Sequence, residues 1–211
     1  MKIIVISTPV FICPPPGYSG LEQLAWQQAK GLAAKGHEVQ LVAPDGSTCP
    51  GTTIIPIGPA GKVDEQNAYN KYWPSLLKTD CIIDHSWAKF SYTLKLENRI
   101  KTPILGVCHA PIHTMFQSLP AIENPCFVCI SQNQATIFQG LFNQPARVAY
   151  NGINLDFYRP MNSPRCQRYL FLARFSTIKG PHLAIEVCQK TNADLDMIGD
   201  TTITNDPACL E

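Results

Sequence analysis

The chain has 211 residues, of which 45% are hydrophobic and 16% are charged, and its formal net charge is +1. The apolar content suits a globular protein with a real core, and the near-neutral charge argues against a surface built to hold nucleic acid. No apolar run reaches the roughly 18 residues that a membrane span requires. The short run at residues 3–6 is followed by prolines where a signal peptide would continue. We therefore expect a cytoplasmic protein with no membrane span and no nucleic-acid partner.

Short apolar runs alternate with amphipathic segments along the first 150 residues. We predict strands at residues 2–7, 38–43, 54–57, 81–84, 104–108, 126–130 and 148–150. We predict helices from residue 21 to the stop at Lys35 and Gly36, at 64–78 with a break at Pro74, at 88–98 and at 132–141. Because the strands are wholly apolar and alternate with helices, the fold class should be α/β with a Rossmann-like parallel sheet covered on both faces.

The pattern is interrupted near residues 155–165 and then restarts. Pro160 and Pro164 bracket a polar stretch, beyond which we predict a strand at 169–173, a helix at 178–189 and a strand at 195–198. We assign residues 1–160 to one Rossmann-like domain and residues 161–211 to the start of a second. One βαβ unit is too small to bury its own sheet. We therefore expect exposed strand edges and an uncovered apolar face, which favour self-association or a partner.

The cysteines and histidines are not spaced as metal ligands. Of nine cysteines, the close pair Cys126 and Cys129 lies inside a predicted strand, whereas a redox pair usually sits at a strand-to-helix turn and a structural zinc site needs further ligands. We interpret the cysteines as reduced and mostly buried. We interpret His37 as structural and His182 as solvent-facing, and we predict no metal site.

The loop after the first predicted strand carries Gly17, Ser19 and Gly20 before a helix. In open α/β sheets ligands bind at the carboxyl ends of strands, close to helix N-termini. Glycines allow a phosphate or a polyhydroxyl ligand to approach the backbone, although the spacing is not that of a dinucleotide-binding loop. A loop that only makes a tight turn explains the same residues, and the sequence leaves both interpretations open.

Two histidines follow predicted strands. His109 stands directly after the strand at 104–108 and His85 directly after the strand at 81–84. Since this is the ligand-binding edge of such a sheet, both are candidates for a functional role, with His109 the stronger.

Arg174 and Lys179 lie in the turn that joins the first strand of the second unit to its helix. Arginine can bind phosphate oxygens bidentately and lysine acts as a point charge. Beside a helix N-terminus the two cations would form a clamp for a diphosphate, whereas the plain alternative is a solvated loop with two unrelated charges. In a nearly neutral chain we favour the clamp.

Several segments together resemble the retaining glycosyltransferases of the GT-B fold, in particular family 4, which includes sucrose-phosphate synthase-like and mannosyltransferase-like enzymes. The segments that carry the resemblance, in chain order, are 17–22 (GYSGLE), 32–39 (LAAKGHEV), 128–131 (VCIS), 148–160 (VAYNGINLDFYRP), 172–180 (LARFSTIKG) and 197–200 (MIGD). Each is moderately specific, but their order along nearly the whole chain is that of the family.

The resemblance implies transfer of a sugar from a nucleotide-diphosphate sugar to an acceptor, with retention at the anomeric carbon. It implies that residues 1–160 mainly hold the acceptor, that the second domain mainly holds the donor, and that no metal or other cofactor takes part. Arg174 and Lys179 would neutralise the departing diphosphate, with Gly20 approaching phosphate through its backbone. His109 would lie beside the transferred sugar.

The same resemblance places Gly17, Ser19 and Asn151 with His109 on the acceptor and sugar side. Glu22 matches a common family glutamate, for which a capping role and a ligand role are equally open.

Departures from the family pattern qualify this expectation. Ser19 and Ala173 stand where the family has glycine, and Asn154 stands where it has aspartate. The family's later E-x₇-E segment, whose acids face the donor, would follow Glu211. We therefore interpret the chain as incomplete, binding ligand weakly and turning over slowly or not at all by itself.

Two other functions remain open at this point. The first is a non-catalytic module that binds a nucleotide or a sugar and needs a partner to supply the missing half. The second is a sugar-nucleotide epimerase of the same fold. The donor sugar, the base and the acceptor are not encoded in any motif.

Overall fold

The computed structural model describes residues 1–111, 126–160 and 166–201. The chain divides into two compact units, Met1–Ile153 and Asn154–Glu211. This division lies a few residues before the expected boundary at 160. The acceptor and donor roles expected of the two parts remain predictions.

The first unit is built on a parallel sheet, which confirms the predicted Rossmann-like α/β fold. Among the described residues seven strands form it, in the order β3-β2-β1-β4-β5-β6-β7. The strands are β1 (Lys2–Ile6), β2 (Glu38–Ala43), β3 (Thr52–Pro56), β4 (Cys81–Asp84), β5 (Ile104–Cys108), β6 (Cys126–Cys129) and β7 (Ala146–Val148). All neighbouring pairs run parallel.

Helices cover both faces of this sheet. They are α1 (Gly20–Ala34), α2 (Glu65–Leu76), α3 (Ser91–Leu96) and α4 (Gln132–Phe142). Alternate residues of a strand face opposite sides, so Ile4 packs with the core formed by α2, α3 and α4. Val5 packs with the core that contains Ala25 and Ala29 of α1. The central strands β1, β4, β5 and β6 are thus mostly buried on both sides, as their apolar composition predicts, whereas the edge strands β3 and β7 are half-buried or exposed.

The strand order reverses direction between β1 and β4. The chain runs outward from β1 through β2 to β3, crosses back to β4, and continues through β5 and β6 to β7. The crevice outside the carboxyl ends of the strands at such a reversal is the usual ligand site of an open α/β sheet. It lies where the residues after β1 and β4 meet.

Two predicted helices differ from the structure near residues that break helical geometry. Pro74 lies inside α2 without breaking it, since the proline removes only the hydrogen bond of its own missing N–H, and the helix ends two residues later. Helix α3 begins at Ser91, later than the predicted residue 88, since Lys89 adopts a left-handed backbone with φ 53°. The predicted strand at 148–150 is instead β7 at Ala146–Val148.

The second unit contains β8 (Tyr169–Leu172), a 3₁₀ turn (Thr177–Lys179), α5 (Pro181–Thr191) and β9 (Leu195–Ile198). Strands β8 and β9 pair in parallel. The helix predicted at 178–189 is split because Gly180 takes a left-handed conformation and Pro181 then begins α5. Within the described part of the chain, no helix combines the length and the apolar character needed to cross a membrane.

Candidate functional site

Strands β4 and β5 bring two histidines together at the carboxyl edge of the sheet. The Nδ1 atom of His85 lies 2.8 Å from Nε2 of His109, and the two ring planes are inclined by 23° with centroids 5.1 Å apart. The other ring nitrogen of His85, Nε2, lies 2.7 Å from Oε1 of Gln28 on α1. The sequence marked both histidines separately. The structure shows that they form one unit, here called the histidine pair, anchored to α1.

The environment of the histidine pair favours uncharged imidazoles. His85 is buried, and its burial, the neighbouring His109 and the Lys89 ammonium hold its pKa well below the ordinary value. Burial and Lys89 lower the pKa of His109 to about 4. At neutral pH each ring therefore carries one hydrogen and offers one donor and one acceptor.

A buried polar cluster lies behind the pair in the loop between β4 and α3. Asp84 accepts hydrogen bonds from the backbone N–H of Ser86 at 2.8 Å, from the Ser86 hydroxyl at 2.6 Å and from the Ser91 hydroxyl. The ammonium of Lys89 lies 3.9 Å from Asp84 and donates to the carbonyl of Ser86. Burial lowers the pKa of Lys89, and Asp84 opposes that effect.

The loop before α1 is held by a carboxylate. Glu22, in the first turn of α1, is buried and accepts hydrogen bonds from the hydroxyls of Thr8 and Ser19. Ser19 is the N-cap residue but makes no side-chain cap hydrogen bond. Glu22 therefore links the residues after β1 to the start of α1. The sequence left a ligand role and a capping role open for Glu22, and the structure shows a third role, a structural bridge between these two segments.

The fold itself does not require glycine at Gly17 or Gly20. Neither has a left-handed backbone, and a Cβ atom added at either position would meet nothing within 4 Å. A tight turn therefore does not explain why these two positions are glycine, and both positions face open space. Their predicted contact with a ligand stays a prediction.

Asn151, the last candidate in the first unit, lies three residues beyond β7 and is exposed. Strand β6 separates β7 from β5, so Asn151 starts two strands away from the strand that carries His109. The structure thus pairs His109 with His85, pairs Ser19 with Glu22, and leaves Asn151 apart from both.

In the second unit, the segment from Ala173 to Gly180 forms the strand-to-helix turn, here called the Arg174 turn. Nε of Arg174 and Oγ of Ser176 are buried without a hydrogen-bond partner among the described residues. Lys179 is exposed at the end of the 3₁₀ turn, and its N–H donates to the carbonyl of Ser176. The turn therefore offers a buried guanidinium nitrogen, a hydroxyl and an ammonium just before the N-terminus of α5.

The Arg174 turn is braced by the end of β9. The N–H of Phe175 donates to the carbonyl of Asp200 at 2.8 Å. A Cβ atom on Gly199 would lie 1.9 Å from the carbonyl oxygen of Ala173. The glycine of the MIGD segment is therefore needed because the backbone of the turn approaches it closely.

Sequence reasoning missed several participants in these contacts: Thr8, Gln28, Asp84, Ser86, Lys89 and Ser91. A glutamine on a helix surface and a lysine in a loop are ordinarily solvated, and nothing local distinguishes them. The segment Asp84-His85-Ser86 directly after a buried strand was the available signal. In the described ranges, no group of three or more His, Cys, Asp or Glu side chains is arranged to hold a metal ion.

A family model described as Glycosyltransferase Family 4 matches residues 18–157. No curated protein matches the chain.

Solved structures resemble the chain at low sequence identity. A sucrose-phosphate synthase from Thermosynechococcus elongatus is 14% identical with a TM-score of 0.64, over 95% of this chain and 70% of that one. HepE from Anabaena, solved in complex with UDP-glucose, is 14% identical with a TM-score of 0.70, over 100% of this chain and 63% of that one. AviGT4, a glycosyltransferase involved in avilamycin A biosynthesis, is 19% identical with a TM-score of 0.56, over 94% and 63%. This chain thus spans about two thirds of the length of each.

Proposed function

Because the chain belongs to Glycosyltransferase Family 4, we propose that it serves the transfer of a sugar from a nucleotide-diphosphate sugar to an acceptor, with retention of the anomeric configuration. The observation that carries the donor part of this proposal is the buried Nε of Arg174, which has no hydrogen-bond partner in the described part of the chain. A buried polar nitrogen without a partner is costly, and an anionic oxygen would satisfy it.

The chemistry of the Arg174 turn fits a diphosphate. Arg174 donates in a fixed geometry and Lys179 adds a mobile positive charge. The N-terminus of α5 adds unpaired N–H groups and a partial positive charge. As the bond between sugar and diphosphate breaks, negative charge accumulates on the leaving oxygen. Cations already in place lower the energy of that transition state without a metal.

The first unit would hold the sugar and the acceptor. Gly17 and Gly20 leave open space beside the backbone at the N-terminus of α1, which suits a polyhydroxyl ligand or a phosphate. The partly buried His109 offers a neutral ring to a sugar hydroxyl. Ser19 and Asn151 complete the proposed acceptor and sugar side, with Ser19 acting through Glu22.

Binding of UDP-glucose, the ligand named with HepE, tests the donor site by calorimetry. We expect Arg174→Ala and Lys179→Ala each to weaken binding roughly 10- to 100-fold, since each removes a charge-assisted hydrogen bond. Lys190→Ala is the matched control, because Lys190 is an exposed lysine of the same unit paired only with Glu186 among the described residues. Equal affinity in all three variants and the wild type would overturn the clamp.

Transfer of labelled glucose to a panel of sugar acceptors tests the reaction, and the anomeric proton of the product reports its stereochemistry. A product with the donor's configuration supports retention, and an inverted product refutes it. UDP-glucose binding with no transfer to any acceptor would favour the alternative, a non-catalytic module that needs a partner half. Interconversion of the nucleotide sugar without an acceptor would favour the epimerase.

A further inference from the structure

Gln28, His85 and His109 form a chain of hydrogen bonds that runs from helix α1 to the edge of the sheet. Both links are short, 2.7 Å from Gln28 Oε1 to His85 Nε2 and 2.8 Å from His85 Nδ1 to His109 Nε2. His85 is 4% exposed and uses both ring nitrogens within the protein. It therefore has no free ring nitrogen to offer a ligand, whereas Nδ1 of His109 makes no hydrogen bond to the residues that the structure describes.

The Gln28 amide oxygen determines which ring nitrogens donate and which accept along this chain of hydrogen bonds. The amide oxygen of Gln28 can only accept, so Nε2 of His85 must carry the hydrogen. In a neutral imidazole Nδ1 is then the acceptor, and Nε2 of His109 must donate to it. The remaining nitrogen of His109, Nδ1, is left as an acceptor.

We propose that His85, anchored by Gln28, is a positioning residue that fixes His109 in the tautomer with hydrogen on Nε2 and an accepting Nδ1. An accepting nitrogen pairs with a hydroxyl hydrogen and is repelled by a carbonyl or carboxylate oxygen. This inference rests on the proposed function, and under it the accepting Nδ1 makes a sugar hydroxyl the ligand that His109 selects. His85 acts on that contact only through His109.

Neighbouring charges support the neutral form that this arrangement needs. The Lys89 ammonium disfavours a second proton on either ring, and burial does the same, so the pKa of each histidine is lowered. The Asp84 carboxylate, which could otherwise favour a charged ring, is occupied by Lys89 and by the hydroxyls of Ser86 and Ser91.

Nitrogen NMR of the full chain labelled with ¹⁵N-histidine tests the tautomers directly, at a pH above the ordinary histidine range. Both His85 and His109 should show hydrogen on Nε2 and a bare Nδ1. Gln28→Leu removes the anchor and should let His109 exchange between tautomers. Gln28→Glu keeps an acceptor and should restore the wild-type pattern. Gln27→Leu, one residue away on the same helix, is the matched control and should change nothing.

Because Gln28 is exposed, these variants should fold normally, which circular dichroism checks. Hydrogen on Nδ1 of His85 in the wild type would overturn the proposal, as would an unchanged His109 tautomer in Gln28→Leu. The NMR result decides the matter whether or not any nucleotide sugar binds.

Ligand binding separates this inference from the proposed function. Gln28→Leu should weaken UDP-glucose binding roughly 3- to 10-fold, the worth of one neutral hydrogen bond, and leave binding of UDP alone unchanged. Gln28→Glu should recover the lost affinity. Wild-type protein that binds neither ligand would count against the proposed function only. UDP-glucose binding that is equal in the wild type and Gln28→Leu would refute the role of the pair in holding the sugar.

Discussion

Lys89 holds its ammonium 3.9 Å from the carboxylate of Asp84, and both side chains are withdrawn from solvent. Asp84 also accepts hydrogen bonds from Ser86 and Ser91, and Lys89 donates to the backbone of Ser86. The carboxylate is therefore the centre of the cluster, and the lysine is one of several groups that satisfy it.

Replacement of Asp84 should cost more stability than replacement of Lys89. Asp84→Ala leaves a buried ammonium without its counter-charge and should lower the free energy of unfolding by about 3–5 kcal/mol. Lys89→Met leaves a carboxylate that keeps three other donors, so we expect about 1–3 kcal/mol. Urea denaturation measures both. Lys190→Met removes an exposed ion pair with Glu186 and should cost no more than about 1 kcal/mol. A larger loss in Lys89→Met than in Asp84→Ala would contradict this order.

The histidine pair should make stability depend on pH. Both pKa values are lowered in the folded protein, that of His109 to about 4, whereas the unfolded value is near 6.5. Between these values the unfolded chain binds more protons, so the stabilisation is present above about pH 6.5 and is lost as the pH falls towards 4. Thermal unfolding at a series of pH values measures the slope.

A double variant isolates this contribution. His85→Asn with His109→Asn should flatten the decline between pH 6.5 and 4, although its stability at neutral pH should also be lower. His37→Asn, in the turn between α1 and β2, is the matched control for loss of a histidine. An undiminished slope in the double variant would mean that other groups cause the acid sensitivity.

Glu22 should stabilise the fold more as a hydrogen-bond acceptor than as a negative charge. Glu22→Ala leaves the buried hydroxyls of Thr8 and Ser19 without their acceptor and should lower the free energy of unfolding by about 1–3 kcal/mol. Glu22→Gln should cost less, because its amide oxygen accepts from one hydroxyl while the other can rotate to accept from the amide. Chemical denaturation compares the two. Glu38→Ala, which loses an exposed pair with Lys2, is the control, and equal losses in Glu22→Gln and Glu22→Ala would refute the bridge.

The sequence predicted the sheet well because each strand can be recognised from its own run of apolar residues. Four strands have the predicted bounds, 38–43, 81–84 and 104–108 in the seven-stranded sheet and 195–198 in the second unit, since each is a mainly apolar run that ends at a turn or a polar residue. The same reasoning placed His85 and His109 at one edge of the sheet, because parallel strands end on the same side.

The contacts that organise the site could not be predicted from local sequence patterns. Gln28 and His85 are 57 positions apart, and only the packing of α1 against the sheet brings them together. The burial of Lys89 depends on a left-handed residue in a loop predicted to be helical. Hydrogen-bond partners across elements are properties of the folded chain, so the roles proposed for Arg174, Lys179 and His109 still depend on the experiments above.

Gly199 should tolerate no side chain. Its Cβ would overlap the Ala173 carbonyl oxygen, a backbone atom that cannot move aside without displacing the Arg174 turn. Gly199→Ala should lower stability by about 1–3 kcal/mol and speed hydrogen exchange in β8 and β9. Gly140→Ala, in open space on helix α4, is the control and should be neutral or stabilising by up to about 1 kcal/mol. An unchanged hydrogen-exchange rate in Gly199→Ala would show that the backbone at Ala173 can move away from residue 199 at little cost.

The β8 and β9 pair should drive self-association of this chain. Leu170, Leu172 and Ile198 share one face of the two strands, since Leu172 pairs with Ile198, and they are 60%, 70% and 56% exposed. Asp196, ion-paired with Arg168, shares this face, but three large apolar side chains in contact with water still favour association. Small-angle scattering over a concentration series should show a rising mass, and Leu172→Lys should reduce it. Leu141→Lys, at a leucine 55% exposed on α4 of the first unit, should leave the mass unchanged. A monodisperse monomer at all concentrations would show that the face is stable in water alone.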